Sequence, residues 1–210
     1  THALVNLQRS RSPSPDDVLS DQVALTVVDE NNAGIGVRGS KLLATLGPIN
    51  NEIAVNQVAS HRLGGDTSRQ SFSFSIPCDT PGMKFLCRES FDFGRSHFDH
   101  PLGSRFDEMD ATVFFEDVAV PWERVFLLGD VELCNKLGTV TQSQVHSAHQ
   151  VLTRGVVKSE FILGLADLMV EPLGSGSAPQ VQQRVAELIT QRDMLRACLR
   201  AAEVDAAPNQ

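Results

Sequence analysis

The densest group of reactive side chains in this sequence is HFDHPLGSRFDEMDA, residues 97–111, with two histidines, four acids and one arginine. Its first part, H-x-D-H, offers metal-binding atoms, but alternate residues of an extended chain share a side, so the second histidine points away from the first. No further histidine, cysteine or glutamate completes a ligand set. The alternative is structural, because Arg105 could hold one of the following acids in a bidentate ion pair. These acids are Asp107, Glu108 and Asp110. We therefore expect a shaped polar loop and no metal.

A second candidate group begins the chain, in THALVNLQRSR. His2 could act as a general base, because an unperturbed imidazole has a pKa near ~6.5 and transfers protons at neutral pH. Arg9 and Arg11 could meet a phosphate or carboxylate, although two close arginines equally suit a solvated face. In KLLATLGPINNE, Thr45 could bond a ligand, whereas the Gly-Pro pair after it indicates only a turn. These residues alone do not identify a reaction.

Composition argues against several classes of function. The 210 residues carry a net charge of −8 and a pI of about 5.2, and an acidic surface favours neither nucleic acid nor an anionic membrane. No apolar run approaches the roughly 20 residues that span a bilayer. The four cysteines form no C-x-x-C pair and are too sparse for a disulfide scaffold. We expect reduced thiols in a cytoplasmic protein.

The elements that must position these residues are strands first and helices later. From residue 22 to about 128 the sequence predicts short strands between turns, a spacing that favours a sandwich or barrel. The clearest is QSFSFSIP, where Phe72, Phe74 and Ile76 alternate with serines. This strict alternation predicts a half-buried strand.

At residue 131 the pattern becomes helical. Between 131 and 171 proline is absent and apolar residues recur at helical spacing, which predicts a first helix. EPLGSGSAPQ breaks it, and a second helix is predicted from about 180 to 206. The helical hairpin is expected to be incomplete, because one pair of helices rarely covers both of its apolar faces.

Five segments share an order and spacing that can be recognised. They are THALVNLQRSR, GIGVRGSKLLATLGPINNEIAV, FSIPCDTPGMKFLCRES, HPLGSRFDEMDATVFFEDVAVPWERVF and HQVLTRGVVKSEFILGLADLMVE. Together they resemble the 4-hydroxyphenylacetate 3-monooxygenase family, in particular the large oxygenase component of two-component, FADH2-dependent phenol hydroxylases. The resemblance implies an α+β, acyl-CoA-dehydrogenase-like fold. Residues 1–130 would be the middle β-barrel or sandwich domain and 131–210 the first helices of the C-terminal bundle, with the N-terminal helical domain absent.

The resemblance also implies a mechanism and partners. A separate flavin reductase would supply FADH2, O2 would form a C4a-hydroperoxide on the flavin, and the phenol would take the distal oxygen at its ortho carbon. The flavin carries this chemistry, while the protein orients it and excludes water. The implied partners are a phenolic substrate, O2 and the reductase, without nucleic acid or membrane. A homo-oligomer, either tetramer or dimer, is expected, and the fragment alone is expected to be inactive.

Individual residues take roles from the same resemblance. His2 matches the histidine that contacts the phenol and is the candidate catalytic base. Thr45 matches a hydroxyl that bonds the flavin near N5, and Gln57 and Val58 lie near a loop beside the substrate. Four residues fall on the segment that holds FAD, namely Gln8, Arg9, Ser10 and Arg11. The family's NPQ reads NLQ here, and its substrate-gripping arginine and tyrosine have no counterpart.

Two alternatives remain open at this point. A 4-hydroxybutyryl-CoA dehydratase-like flavoenzyme would share the fold but needs an iron–sulfur cluster, for which Cys78, Cys87 and Cys134 lack an obvious spacing. A truncated, non-catalytic paralogue would serve as a binding or assembly module. Iron content would distinguish the dehydratase from a hydroxylase. The full transcript length would distinguish the truncated paralogue from a hydroxylase.

Overall fold

The structure is a computed structural model that describes residues 1–6, 23–57, 63, 67–92, 94 and 96–207. Its contacts divide the chain into two compact units, Thr1–Leu137 and Gly138–Gln210. The division falls inside the helix that begins at Val131, the residue where the sequence pattern changes from strand to helix. Strands belong to the first unit and the two long helices to the second, which is an α+β arrangement.

The first unit contains two β-sheets. In the described part of the chain the strands are β1 (His2–Ala3), β2 (Val5–Asn6), β3 (Thr26–Asn31), β4 (Gly34–Leu42), β5 (Glu52–Val55), β6 (Phe72–Pro77), β7 (Met83–Cys87), β8 (Ala111–Pro121) and β9 (Val125–Leu128). One sheet has the order β1-β5-β6-β9, and the other has the order β2-β4-β8-β7 with β3 also paired to β4. The pairing of β1 with β5 is parallel. The sequence pattern predicts neither β1 nor β2, because two residues are too short to show a period.

The core lies where aromatic and branched side chains of both sheets meet. Phe72, Phe74 and Ile76 of β6 are each at most 1% exposed. The ring of Phe74 meets that of Phe115, on β8, edge to face with centroids 6.3 Å apart. Burial of side chains of this size supplies most of the free energy that holds two sheets together.

The serine face of β6 differs from the sequence prediction. Ser71, just before the strand, and Ser73, within it, are buried as well, so the prediction of a half-buried strand is wrong at this end. Their hydroxyl groups donate to the carbonyl oxygen of Thr67 at 3.0 Å and to Oδ1 of Asn56 at 2.5 Å. A buried hydroxyl is tolerated when it is hydrogen-bonded, and alternation alone does not reveal such partners.

A β-bulge keeps the apolar residues of β8 in the core. Its buried residues are odd-numbered up to Phe115 and even-numbered from Val118 onwards. In the register with β4, Gly39 pairs with Phe115 but Val37 pairs with Val118, so β8 holds one extra residue. Asp117 in this stretch has a left-handed φ of 53°, consistent with a local bend of the strand.

The described helices are α1 (Gly103–Phe106), α2 (Val131–Val140), α3 (Ser143–Val170) and α4 (Pro179–Val204). The single helix predicted for residues 131–171 is therefore wrong, because Gln142 adopts a left-handed φ of 53° between α2 and α3. Such a residue ends a right-handed helix. Within the second unit α3 packs against α4. None of the helices in the described residues combines the length and apolar character that a membrane span requires.

Candidate functional site

The strand that carries His2 is held against β5. His2 pairs with Ala54 in the parallel register, and the amides of Ala54 and Asn56 donate to the carbonyl oxygens of Thr1 and Ala3 at 2.9 and 3.2 Å. The side chain of His2 is exposed. Its imidazole is therefore available to a ligand at the edge of this sheet.

The turn after β4 lies beside this edge and carries Thr45. Oγ1 of Thr1 donates to the carbonyl oxygen of Thr45 at 2.6 Å, which joins β1 to the turn. Leu43 and Leu46 have left-handed φ values of 61° and 57°, a conformation that costs a non-glycine residue on the order of 1–2 kcal/mol. The amide of Leu46 donates to the carbonyl oxygen of Met109 at 2.7 Å. This bond helps to hold the turn in its strained conformation.

Asp110 fixes the orientation of the Thr45 hydroxyl. Oγ1 of Thr45 donates to Oδ1 of Asp110 at 2.6 Å, and the backbone of Asp110 is itself held by the amide of Arg88 at 3.1 Å. A hydroxyl has one hydrogen and two lone pairs. Because the single hydrogen of the Thr45 hydroxyl is used in the bond to Asp110, this hydroxyl can only accept a hydrogen bond from a ligand.

Gln57 belongs to a buried hydrogen-bond network. Its Oε1 accepts from Nζ of Lys41 at 3.0 Å and from Nδ2 of Asn6 at 3.3 Å, while its Nε2 donates to the carbonyl oxygen of Gln70 at 2.5 Å. Three bonds fix both ends of the amide, and one N–H remains for another acceptor. The substrate role of Gln57 stays a prediction.

Lys41 is the most unusual residue of this region. It lies on β4 with no exposed surface, and its Nζ also donates to the carbonyl oxygens of Leu4 and Asn56 at 3.2 and 3.0 Å. Burial disfavours the charged form and lowers the pKa of Lys41 from 10.5 to about 7, although the nearby thiol of Cys134 partly opposes this shift. Burial in turn raises the pKa of Cys134. The pair therefore consists of a lysine that titrates near neutral pH and a protonated thiol.

The structure brings only some of the predicted site residues together. His2 and Thr45 are linked through Thr1, whereas Gln57 lies in the Lys41 network. The other predicted residues lie outside the described part of the chain. These are Gln8, Arg9, Ser10, Arg11 and Val58.

The sequence did not lead us to Lys41 or Asn6, and it did not predict that Asp110 bonds Thr45. A signal for Lys41 existed, because Ile35 and Val37 are buried and Lys41 follows them on the same face of β4 at a period of two. No comparable signal existed for the other two. Their partners are 51 and 65 residues away along the chain.

The polar stretch 97–111 is organised by an arginine that lies outside it. Nη2 of Arg88 donates to Oδ1 of Asp107 at 2.6 Å. Oδ2 of Asp107 accepts from Oγ of Ser90 and the amide of Phe91 at 2.9 and 3.0 Å. The hydrogen bond from Arg88 is the largest of the effects that lower the pKa of Asp107. The loop is thus tied to the segment that follows β7.

The prediction that Arg105 pairs with one of the acids that follow it in the loop is wrong. Arg105 places its guanidinium over the ring of Phe106, 5.3 Å from the centroid, and forms no ion pair with a described acid. In the described ranges no group of three or more His, Cys, Asp or Glu side chains is arranged to hold a metal ion.

Comparison with known proteins identifies the family. The chain matches the model of the 4-hydroxyphenylacetate 3-hydroxylase N terminal over residues 1–127 and that of the C terminal over residues 134–210. It is 41% identical over 209 residues to the 4-hydroxyphenylacetate 3-monooxygenase oxygenase component of Thermus thermophilus, covering 100% of this chain and 43% of that protein. The component from Geobacillus sp. is 40% identical over 206 residues, or 98% and 42% of the two chains. The chain thus spans less than half the length of these relatives.

Solved structures agree. A crystal structure of the oxygenase component of 4-hydroxyphenylacetate 3-monooxygenase, complexed with FAD and 4-hydroxyphenylacetate, has a TM-score of 0.88 at 40% identity and covers 99% of this chain and 43% of its own. A 4-hydroxybutyryl-CoA dehydratase from N. maritimus and a glutaryl-coenzyme A dehydrogenase share only the fold, with TM-scores of 0.77 and 0.60 at 18% identity, covering 96% and 95% of this chain and 40% and 46% of their own. The expected acyl-CoA-dehydrogenase-like α+β fold is confirmed. Since the two family models together account for nearly every residue, the chain belongs to the 4-hydroxyphenylacetate 3-hydroxylase family.

Proposed function

We propose that this chain is part of the oxygenase component of a flavin-dependent monooxygenase, which hydroxylates a phenol at the carbon ortho to its hydroxyl group. The observation that carries the proposal is the likeness, over 99% of this chain, to an oxygenase crystallised with FAD and 4-hydroxyphenylacetate. Relatives named for 4-nitrophenol at 35% and 36% identity extend the range of substrates. The class supported is therefore phenols, without a choice among them.

The described residues around β1 and β2 fit a reduced flavin, FADH2. Oδ1 of Asn6 is buried and has no hydrogen-bond partner among the described residues, so it is an acceptor to which a ligand N–H or O–H group could donate. Thr45 likewise offers only an acceptor, and N5 of a reduced flavin carries a hydrogen. When bound, the reduced flavin would supply the two electrons that activate O2, one atom of which goes to the phenol and the other to water.

His2 is the proposed catalytic base. Its exposed imidazole at the edge of β1 can accept the phenol proton, which makes the ring more nucleophilic at its ortho carbon. Thr45 would orient the flavin near N5, and Gln57 and Val58 would lie beside the substrate. The segment of Gln8, Arg9, Ser10 and Arg11 would hold FAD, with an arginine on the pyrophosphate.

The proposed partners follow from the same reaction. A separate flavin reductase would deliver FADH2, and O2 would be the second substrate. A dimer or tetramer is proposed, because long helices such as α3 expose large apolar residues, among them Leu168 and Met169 at 67% and 66%, that need cover. A cytoplasmic location is proposed from the four free cysteines, because thiols stay reduced in that compartment.

The test is an anaerobic titration of the full-length protein with FADH2, followed by mixing with 18O2 and a panel of phenols. The expected result is a catechol with one 18O atom, formed from FADH2 but not from oxidised FAD without a reductant. Failure to bind FADH2 would contradict the proposal and support a non-catalytic paralogue. Stoichiometric iron in the purified protein would instead support dehydratase chemistry.

A further inference from the structure

Lys41 makes three hydrogen bonds to neutral acceptors. The acceptors are the carbonyl oxygens of Leu4 and Asn56 and Oε1 of Gln57, at 3.2, 3.0 and 3.0 Å from Nζ. In the described ranges no carboxylate lies within ion-pair distance of this nitrogen. A lysine this deeply buried is costly unless its protons are all used, and three acceptors match the three hydrogens of an ammonium group.

Two of the three acceptors lie outside the sheet that contains β4. These two are Asn56 and Gln57, which follow β5, whereas Leu4 connects β1 to β2 and β2 pairs with β4 at Leu42 and Lys41. β1 and β5 belong to one sheet and β4 to the other. Nζ of Lys41 is therefore a bridge between the sheets.

This bridge lies close in sequence to the proposed catalytic residues. Leu4 is two residues after His2, and the strand partner of His2, Ala54, is two residues before Asn56. The lysine also bonds the side chain of Gln57 itself. A change in its protonation therefore acts on both sides of the parallel β1–β5 pair.

We infer that Lys41 is a positioning residue for the proposed hydroxylation, which holds the His2 strand and the Gln57 amide in register through its ammonium group. The inference rests on the proposed function. Loss of one proton leaves two N–H donors and a lone pair facing three acceptor oxygens. One contact is then lost, and the lone pair repels the oxygen it faces. The arrangement of β1 and Gln57 is consequently set by the protonation of a residue that touches no substrate.

The groups around Nζ make this protonation sensitive to pH in the neutral range. Among the described residues, Cys134 of α2 is the titratable group that acts on the lysine, and burial raises the pKa of its thiol. The ring of Phe72, on β6, lies 5.8 Å from Nζ and favours the cation weakly. Leu4, Asn56 and Gln57 present neutral atoms. Burial, which lowers the pKa of Lys41 to about 7, therefore outweighs these contacts.

The test compares the full-length Lys41→Met variant with wild type and with Lys84→Met. Lys84 is an exposed lysine on β7 that pairs with Glu116, so its variant removes the same side chain outside the network. Hydrogen exchange would follow the amides of Ala54 and Asn56, which donate to β1. Steady-state kinetics from about pH 6 to about pH 9 would give kcat, KM and the yield of catechol per O2.

The expected result is faster exchange at these two amides in Lys41→Met and a fall of about tenfold or more in kcat/KM. The FADH2 affinity should change by less than about twofold, because no cofactor contact is removed. In wild type, kcat/KM should fall as the pH rises through about 7, where Lys41 loses its proton. This fall should be absent in Lys41→Met, and Lys84→Met should match wild type. Unchanged exchange, or faster exchange with unchanged kinetics, overturns the inference.

A second variant keeps the test decisive if Lys41→Met does not fold. Gln57→Glu places a carboxylate against the ammonium group, which stabilises the charged lysine. The fall in kcat/KM near pH 7 should then move to higher pH by about one unit or more. A fall that stays at the same pH overturns the inference. If wild type hydroxylates no phenol, the proposed function fails, while exchange at Ala54 and Asn56 still shows whether Lys41 holds the two strands.

Discussion

The hydroxyl group of Thr45 donates a 2.6 Å hydrogen bond to Asp110, 65 residues further along the chain. This bond makes Thr45 an acceptor. A reduced flavin has an N–H at N5, whereas an oxidised flavin has an unprotonated nitrogen there. If Thr45 meets N5 as proposed, the Asp110 carboxylate gives the site a preference for the reduced cofactor.

We expect Asp110→Ala to weaken this preference. The freed hydroxyl can then donate as well as accept, so oxidised FAD should bind more tightly relative to FADH2, by about fivefold for one hydrogen bond of about 1 kcal/mol. Anaerobic and aerobic flavin titrations give the two Kd values. Thr45→Ala is the matched comparison, in which neither state gains a bond and more H2O2 should be released per O2 consumed. An unchanged ratio of Kd values in Asp110→Ala would remove the carboxylate from this role.

His2→Ala should slow hydroxylation more than it weakens flavin binding. A positioned general base contributes roughly 10²–10⁴-fold to a rate, so single-turnover catechol formation should fall within that range while the FADH2 Kd changes little. His2→Gln keeps a hydrogen-bonding group but provides no base at neutral pH. Recovery of the wild-type rate in His2→Gln would show that His2 only binds the phenol.

The strands that could be predicted are those whose burial follows a simple period. Phe72, Phe74 and Ile76 predict β6 because their side chains reach the core at every second residue. β8 shows the same period only up to Phe115, and the bulge at Asp117 then shifts it by one residue. A bulge depends on the partner strand, so the local pattern alone does not place it.

The candidate site was less predictable, because its contacts join distant parts of the chain. The pairing of His2 with Ala54 and the bond from Thr1 to Thr45 depend on two-residue strands without a recognisable pattern. Lys41 continues the apolar face of β4, but a lysine in a strand normally indicates a solvent-facing position, so the two indications conflict. Its face of β4 was readable, but the three acceptors that allow its burial were not.

Lys41 should also make stability depend on pH in a defined window. Its pKa is about 7 when folded and 10.5 ordinarily, so between these values the unfolded chain binds more protons and stability rises with pH. The rise approaches about 1.4 kcal/mol per pH unit. Urea unfolding of wild type and Lys41→Met should be measured at about pH 7.5 and pH 9.5. Between these two pH values the free energy of unfolding of wild type should rise by roughly 2–3 kcal/mol relative to that of Lys41→Met. A difference that stays constant would mean that Lys41 titrates normally.

Arg88, not Arg105, should hold the polar loop before β8. Arg88 donates to Asp107 and to the carbonyl oxygens of Glu89 and Glu108 at 2.6, 2.7 and 2.9 Å, whereas Arg105 lies over the ring of Phe106 and pairs with no described acid. Arg88→Ala should lower Tm by a few degrees, and Arg105→Ala should leave it nearly unchanged. The lowered pKa of Asp107 means that its contribution is present above its ordinary pKa and is lost as the pH falls below it. The two variants should therefore converge in Tm at acidic pH, and equal Tm values at neutral pH would contradict the assignment.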